Sequence, residues 1–364
     1  MKDEVKSKKD MANYDIIHFE ALGPEASHLE EEIIKAIEQN EIPPKHSYLI
    51  TPDNVQVFLK QNPDIVLPDI ITTKTHSVIP DNYMNGKKKS IITRSAGYDH
   101  FEHLSEKVNI ASLREYCVNA VAQTAMKFLY AVAGKLNHYT KNTETFERKN
   151  SDAFIELDKH RVLSVFGVGK IGKRLYELAE ANGLTVLGVD IRHDELDRLY
   201  RGTVRFVTKE EAIASSDIIV NAMNLTKNRQ SRFYNVGYFS SEHLSKAKDG
   251  LMFINITRGE IAPESILLQL YNSGKISGIC LDVFTNESEF TRLLAGEVVS
   301  GQDVKAAKSL VEMALERTGN IYVQPHQGFN SDVAAKTKAI EAIKHVKAWY
   351  KNDGKYFDEQ LPYY

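Results

Sequence analysis

The sequence predicts an α/β protein made of two doubly wound parallel sheets with a cleft between them. Three observations carry that prediction. Short apolar, β-branched runs alternate with helix-length amphipathic stretches before residue 118 and again after residue 160, the pattern of parallel strands joined by crossover helices. The chain has 364 residues, too many for one ordinary core and suited to two domains. A glycine-rich strand–turn–helix–strand unit sits in the middle of the chain, after a complete α/β region.

The elements follow in order. Met1–Asp10 reads as a charged lead without an apolar signal-peptide core. Residues 14–20 form a strand, and a helix from about Ser27 to Glu38 places Leu29, Ile33, Ile34 and Ile37 on one face. Ser47–Ile50 is a strand, Asp53–Gln61 a short helix, Asp64–Thr72 contains a third strand and Ser90–Arg94 is a fourth. From Asn119 to about Leu136 runs one long helix striped by Val121, Ala125, Phe128, Leu129, Val132 and Leu136. Residues 137–159 are polar and unpatterned. Later, Thr208-Lys-Glu-Glu211 is a capping box, and strands are expected at Asp217–Ala222, Leu251–Ile256, Ile276–Phe284 and Asn320–Val323. Pro263 and Gly274 bracket a helix, an extra helix spans about Asp303–Arg317, and Asp332 to about Lys351 is a terminal helix followed by a tail.

The central unit runs from Arg161 to Asp190. A buried-type strand leads into Gly167-Val-Gly169-Lys-Ile-Gly172, then a helix with Ile171, Leu175, Leu178 and Ala179 on one face, then a strand ending at Asp190. Gly167 permits the tight turn, Gly169 lets the backbone approach a pyrophosphate, and Gly172 lets helix and strand pack closely. The helix N-terminus then faces the phosphates with free N–H groups and the positive end of its dipole. Asp190 can take the ribose hydroxyls and repel a 2′-phosphate, which favours NAD, whereas Arg192 beside it could accommodate that phosphate. This is a Rossmann-like dinucleotide-binding domain, and the regions around it form a second, flavodoxin-like one. The terminal helix lies beyond the last cofactor-domain strand, so it can return to the N-terminal region. The expected division is 1–118 with 327–364 as a split substrate domain and 119–326 as the NAD domain, the ligand lying between them.

Composition narrows the function. A formal net charge of −3 offers nothing to nucleic acid or an anionic membrane, and no apolar run is long enough to span a bilayer. Cys117 and Cys280 sit among apolar residues, as expected of buried thiols in a reducing, cytoplasmic setting. No metal-ligand spacing occurs, so no metal site is expected.

Three polar residues stand just beyond the C-terminal ends of expected strands, where open α/β sheets bind ligands: Arg258, Glu287 in a charged loop, and His326. Hydride transfer to a 2-oxo acid needs a proton donor for the carbonyl oxygen and a cation for the carboxylate. Histidine suits the first task, a carboxylate beside it favours its protonated form and fixes its ring, and the arginine fork suits the second. Each alone is also consistent with a solvated or structural side chain; their joint placement points to chemistry.

With these residues in view, most of the chain, and above all Ser90–Lys338, resembles the D-isomer-specific 2-hydroxyacid dehydrogenases. The resemblance rests on Val-Phe-Gly-Val-Gly-Lys-Ile-Gly, Asn-Ile-Thr-Arg-Gly-Glu-Ile, Ser-Gly-Lys-Ile-Ser-Gly-Ile-Cys-Leu-Asp-Val-Phe and Gln-Pro-His, in that order. It implies a catalytic triad of Arg258, Glu287 and His326. It further implies pyrophosphate contacts at Lys170 and Ile171, a ribose contact at Asp190, a nicotinamide-side Asp282, and backbone contacts at Met223, Asn224, Ile256 and Thr257. The turn Thr93-Arg94-Ser95-Ala96-Gly97-Tyr98 becomes a substrate-carboxylate nest at Ala96 and Gly97, with Tyr98 facing the substrate or packing in a hinge, and looks most like the D-lactate dehydrogenase branch. The resemblance also implies a homodimer. The chain departs from the pattern at Gln123-Thr124, where Glu-His is usual, at Asn224-Leu225-Thr226, which lacks a Pro, and in a long 289–319 segment. Glu287 argues against formate dehydrogenases of this fold, which carry Gln there. The expected activity is NAD-dependent reduction of a small 2-oxo acid. The alternatives are a larger or phosphorylated 2-hydroxy acid as substrate, and an NAD-sensing corepressor-like protein.

Overall fold

The computed structural model describes residues 14–146, 148–149 and 152–363; the lead expected over Met1–Asp10 lies outside them. The chain divides into two compact units, one ending at Cys117 and resuming at Asn330, the other running from Val118 to Phe329.

The first unit holds a five-stranded sheet of β1 (Ile16–His18), β2 (Tyr48–Ile50), β3 (Ile70–Thr73), β4 (Ser90–Thr93) and β5 (Asn109–Ser112) in the order β2-β1-β3-β4-β5, all parallel. Successive strand residues point to opposite faces, and both faces are covered. Ile16, Ile70 and Ile92 pack with Leu29 and Ile33 of the helix Pro24–Glu38 and with Ala339, Ile343 and Val346 of the terminal helix Ala334–Lys351. Ile17, Ile71, Ile91 and Ile110 face the other way, against Phe19, Phe101 and Leu104. The terminal helix thus returns to the N-terminal unit. Ile34, placed on the apolar face by sequence, is 44% exposed, and helix burial falls instead on Leu29, Ile33 and Ala36. β5 has no counterpart among the strands the sequence predicts. Its partner outside the sheet is the C-terminal tail, whose Leu361 N–H donates to the Ile110 carbonyl at 2.9 Å. The Tyr363 hydroxyl accepts from the Ser112 N–H at 2.7 Å, and Phe357 and Leu361 are buried.

The second unit holds six parallel strands: β6 (Val162–Phe166), β7 (Thr185–Val189), β8 (Ile218–Asn221), β9 (Leu251–Asn255), β10 (Ile276–Leu281) and β11 (Ile321–Val323), in the order β11-β10-β9-β8-β6-β7. The chain order reverses at β6, which has β7 on one side and β8 on the other, so the crevice for a dinucleotide opens at the end of β6. The long helix expected to reach Leu136 stops at Ala133. Lys135 takes a left-handed φ of 47° and a second helix, Leu136–Asn142, follows inside the stretch read as unpatterned. Leu136 is 52% exposed and belongs to no apolar stripe. The extra helix is Gln302–Leu315; Val304, Ala307 and Leu310 bury it in the same core as Leu267 and Leu270 of the helix Glu264–Asn272.

Candidate active site

The glycine turn has the geometry its spacing calls for. Gly167 has φ 89°, and a Cβ there would fall 2.7 Å from Met223 N. A Cβ on Gly172 would fall 1.9 Å from the Gly167 carbonyl oxygen, so only glycine lets the helix Lys170–Ala181 start this close to β6. Gly169, by contrast, faces open space at the N-terminus of that helix. Asp190, at the end of β7, ties its own loop to the glycine turn: Oδ2 accepts the Val168 N–H at 2.9 Å and Oδ1 the Arg192 N–H at 2.9 Å. The Arg192 Nε lies 3.8 Å from Asp190 and its Nη1 3.7 Å from Glu195, so this cation stands among carboxylates. An open glycine at a helix start and a carboxylate one strand away together fit a dinucleotide.

Two asparagines organise the next strand ends. Asn221 and Asn255, both fully buried, close β8 and β9 and bond side chain to side chain at 2.9 Å. Asn221 also donates to the Thr257 hydroxyl at 2.9 Å and accepts the Met223 N–H at 3.2 Å. Asn255 accepts the Thr257 N–H at 3.3 Å and donates to the Arg258 carbonyl at 2.9 Å. Met223 and Ile256–Arg258 are therefore set by one polar hub, which sequence reasoning missed; its signal was an Asn ending each of two apolar strands. Asn235 holds the Asn224-Leu225-Thr226 loop that lacks a Pro, accepting the Thr226 N–H at 2.8 Å and donating to the Asn224 carbonyl at 2.7 Å.

Glu287 does not lie in a loop. It opens the helix Glu287–Leu294, after Asn286 has turned the chain with a left-handed φ of 48°. Its Oε2 meets His326 Nδ1 at 2.9 Å, and its Oε1 accepts the Phe284 N–H at 3.3 Å. Burial pushes this carboxyl up, but the bond to His326, the His326 charge, the Phe284 N–H and the Arg258 charge outweigh it, and the group sits below its ordinary value. His326 itself has a left-handed φ of 51°, a conformation that a non-glycine residue adopts only when its surroundings impose it. Those surroundings are Asp282, 2% exposed, whose carbonyl accepts the His326 N–H at 2.7 Å. The Asp282 Oδ1 takes Gln324 Nε2 at 2.7 Å and Gln327 N–H at 2.8 Å, and Oδ2 takes Gly328 N–H at 2.9 Å. Expected beside a nicotinamide, Asp282 is seen clamping the His326 loop, and its burial pushes its carboxyl above the usual value against those bonds. Thr124, where the family pattern has His, donates to the Gly328 carbonyl at 3.2 Å and supports the same loop.

In the first unit, Ala96 and Gly97 follow β4, and the Ser95 hydroxyl donates to the Gly97 carbonyl at 2.7 Å. Tyr98 is 7% exposed, its ring in the core at 5.4 Å from Tyr363. Arg94 is fully buried, bonded through Nε to Glu25 at 2.9 Å, through Nη2 to the Phe19 carbonyl at 2.5 Å, and to the Thr72 hydroxyl. It is therefore committed within its own unit.

The family model for the NAD-binding domain of D-isomer specific 2-hydroxyacid dehydrogenases matches residues 126–328. A D-lactate dehydrogenase of Lactiplantibacillus plantarum is 26% identical over 254 residues, covering 68% of this chain and 70% of that protein. An aromatic 2-oxoacid reductase of Clostridium sporogenes is 26% identical over 256 residues, covering 68% and 71%. The solved D-lactate dehydrogenase of Aquifex aeolicus, complexed with NAD and lactic acid, superposes with a TM-score of 0.72 at 21% identity, covering 93% of this chain and 96% of that one.

Proposed function

The chain belongs to the D-isomer specific 2-hydroxyacid dehydrogenase family and is an NAD-dependent oxidoreductase, and from that premise we propose that it reduces a small 2-oxo acid to the D-2-hydroxy acid. The observation that carries this reading is the 2.9 Å contact between His326 Nδ1 and Glu287 Oε2. With Nδ1 tied to a carboxylate, His326 has Nε2 with which to give a proton to the substrate's carbonyl oxygen. Bound NADH supplies the hydride that goes to the carbonyl carbon. Glu287 fixes the orientation of the ring through that bond. Arg258, whose charge helps hold the Glu287 carboxyl down and whose Nη1 donates to the Thr257 carbonyl at 2.8 Å, is proposed to bind the substrate carboxylate. Gly167, Gly169, Gly172, Lys170 and Ile171 are proposed to hold the pyrophosphate, Asp190 the ribose, and Met223, Asn224, Ile256, Thr257 and Asp282 the remaining cofactor contacts. The N–H groups of Ala96 and Gly97 are proposed as the second anchor for the substrate carboxylate. Tyr98, with its ring in the core, would shape that turn rather than touch the acid.

D-lactate dehydrogenase-like use of pyruvate is our first choice of substrate. Arg94, the nearest cation in sequence to the Ala96–Gly97 turn, is spent inside its unit, which disfavours a phosphorylated acid. The reading includes a cytoplasmic homodimer. Both thiols are free and buried, and among the described residues no helix is long and apolar enough to cross a membrane. The decisive experiment is a panel of 2-oxo acids of increasing size offered with NADH and with NADPH, followed by cofactor absorbance, alongside sedimentation. Turnover of pyruvate with NADH is expected; no turnover of any 2-oxo acid, with NADH-dependent assembly instead, would favour a sensor.

A further inference from the structure

We propose that Glu264 is a positioning residue for the Glu287–His326 pair, holding the loop that delivers Glu287 against the turn that carries Arg258. The inference rests on the catalytic reading of that pair.

Glu264 opens the helix Glu264–Asn272 and is 1% exposed. A carboxylate is welcome at a helix start, but an exposed one serves that purpose, and burying one is costly. This side chain turns inward. Its Oε1 accepts the Thr285 N–H at 2.8 Å. Its Oε2 and the Thr285 hydroxyl are both buried, with no hydrogen-bond partner within normal geometry among the described residues. The carboxyl therefore sits against one residue of a loop, and that residue lies two before Glu287.

The same loop is in backbone contact with the Arg258 turn. A Cβ on Gly259 would fall 2.0 Å from Thr285 N and 2.2 Å from the Phe284 carbonyl carbon, so only glycine allows the approach. Glu264 clasps Thr285 at that crossing point. On one side of Thr285, the Phe284 N–H donates to Glu287 Oε1 at 3.3 Å. On the other, Asn286 makes the left-handed turn into the helix that Glu287 begins. Releasing Thr285 therefore frees both the donor that orients the Glu287 carboxylate and the turn that aims it at His326. The neighbouring helix Gln302–Leu315 supports the arrangement from behind: Asp303 Oδ1 accepts the Ser265 N–H at 3.2 Å and the Ser265 hydroxyl at 2.5 Å. The work of Glu264 is that of an acceptor, which a carboxylate, a carboxylic acid and an amide can all perform.

Glu264→Gln, Glu264→Ala and Glu264→Met separate this role from simple packing. Glu264→Gln is expected to keep wild-type turnover. Glu264→Ala and Glu264→Met are expected to lose roughly tenfold to a hundredfold in kcat, the cost of misplacing a catalytic group, with the NADH dissociation constant unchanged. The acid limb of kcat/KM, set by Glu287 with His326 and Arg258 facing it, should move upward in the same two variants. Retained kcat with an unmoved acid limb in Glu264→Ala or Glu264→Met would overturn the proposal. So would an equal loss in Glu264→Gln while it remains folded. Amide hydrogen exchange gives a readout independent of activity. The Thr285 amide should be protected in the wild type and in Glu264→Gln and exchange faster in the other two; fast exchange in the wild type overturns the proposal without any variant. If the wild type oxidises no NADH with any 2-oxo acid, the catalytic reading falls, and exchange at Thr285 still decides the role of Glu264.

Discussion

His326 hangs from Asp282: its N–H donates to the Asp282 carbonyl at 2.7 Å, and the N–H groups of the next two residues donate to the Asp282 carboxylate. This clamp holds His326 in a left-handed conformation that its own side chain disfavours. In Asp282→Asn an amide donor replaces one acceptor and faces the N–H of Gln327 or Gly328. An unsatisfied buried donor costs about 1–3 kcal/mol. Urea unfolding should show a loss of that size, and kcat should fall with it; unchanged values in both would separate Asp282 from the His326 loop.

His326→Gln keeps a polar side chain but not a proton that can be given at neutral pH. Turnover should drop by about two to four orders of magnitude, while NADH binding, measured by fluorescence titration, stays near the wild-type value. Wild-type-like rates would sink the assignment of the proton donor.

Glu287 sits below its ordinary value, so its working, ionised form persists into mild acid. The sign follows from a depressed carboxyl: its contribution is present above the unfolded value and is lost as pH falls through the folded one. Reduction rates should therefore fall on the acid side through that depressed value. Glu287→Gln should abolish this limb, which a pH profile of kcat/KM reads directly.

Glu264 shows the opposite sign. Burial, helped by the charge of Asp303 and only partly offset by the approach of Thr285, pushes its carboxyl up from 4.5 to about 7. Folding stability tied to this group is full below 4.5 and is lost as pH rises through about 7, on the order of 3 kcal/mol for a shift of that size. Denaturant midpoints measured from mildly acid to mildly alkaline pH should decline in the wild type and flatten in Glu264→Gln. Parallel curves for the two proteins would contradict the raised value.

Asp190 is expected to choose the cofactor. Asp190→Ser removes the carboxylate that Arg192 now faces at 3.8 Å. The KM for NADH should rise by roughly tenfold, the worth of one lost charged hydrogen bond. The KM for NADPH should fall, because Arg192 becomes available to a 2′-phosphate. A preference unchanged by this substitution would place cofactor choice elsewhere.

Most of the architecture was legible in the sequence for a simple reason. Parallel strands buried on both faces are spelled by continuous runs such as Leu163–Phe166 and Leu251–Ile254, which owe little to distant context. The glycine turn was legible because two of its three glycines, Gly167 and Gly172, answer a steric demand, seen in the 1.9 Å a Cβ at Gly172 would leave. What escaped depended on contacts far along the chain. β5 begins with Asn109, a weak strand residue, and is completed by the Lys355 carbonyl, which accepts from Asn109 Nδ2 at 2.7 Å. The helix at Glu287 looks like a charged loop in the sequence because its start is set by a left-handed Asn286 and its single buried anchor is Phe290. The Asn221–Asn255 hub and the Glu264 clasp escaped for the same reason. A buried polar residue declares its purpose only through a partner, and here the partners lie 34 and 21 residues away.

The tail bonded along β5 has a further consequence. β5 ends the first sheet, and a bare outer strand is a template on which another chain can add. Leu361 and Tyr363 occupy that template with bonds to Ile110 and Ser112. Leu361 and Tyr363 thus cover part of that edge against strand-on-strand pairing. Loosening Leu361 is therefore expected to show first as edge-to-edge aggregation and only later as lost turnover.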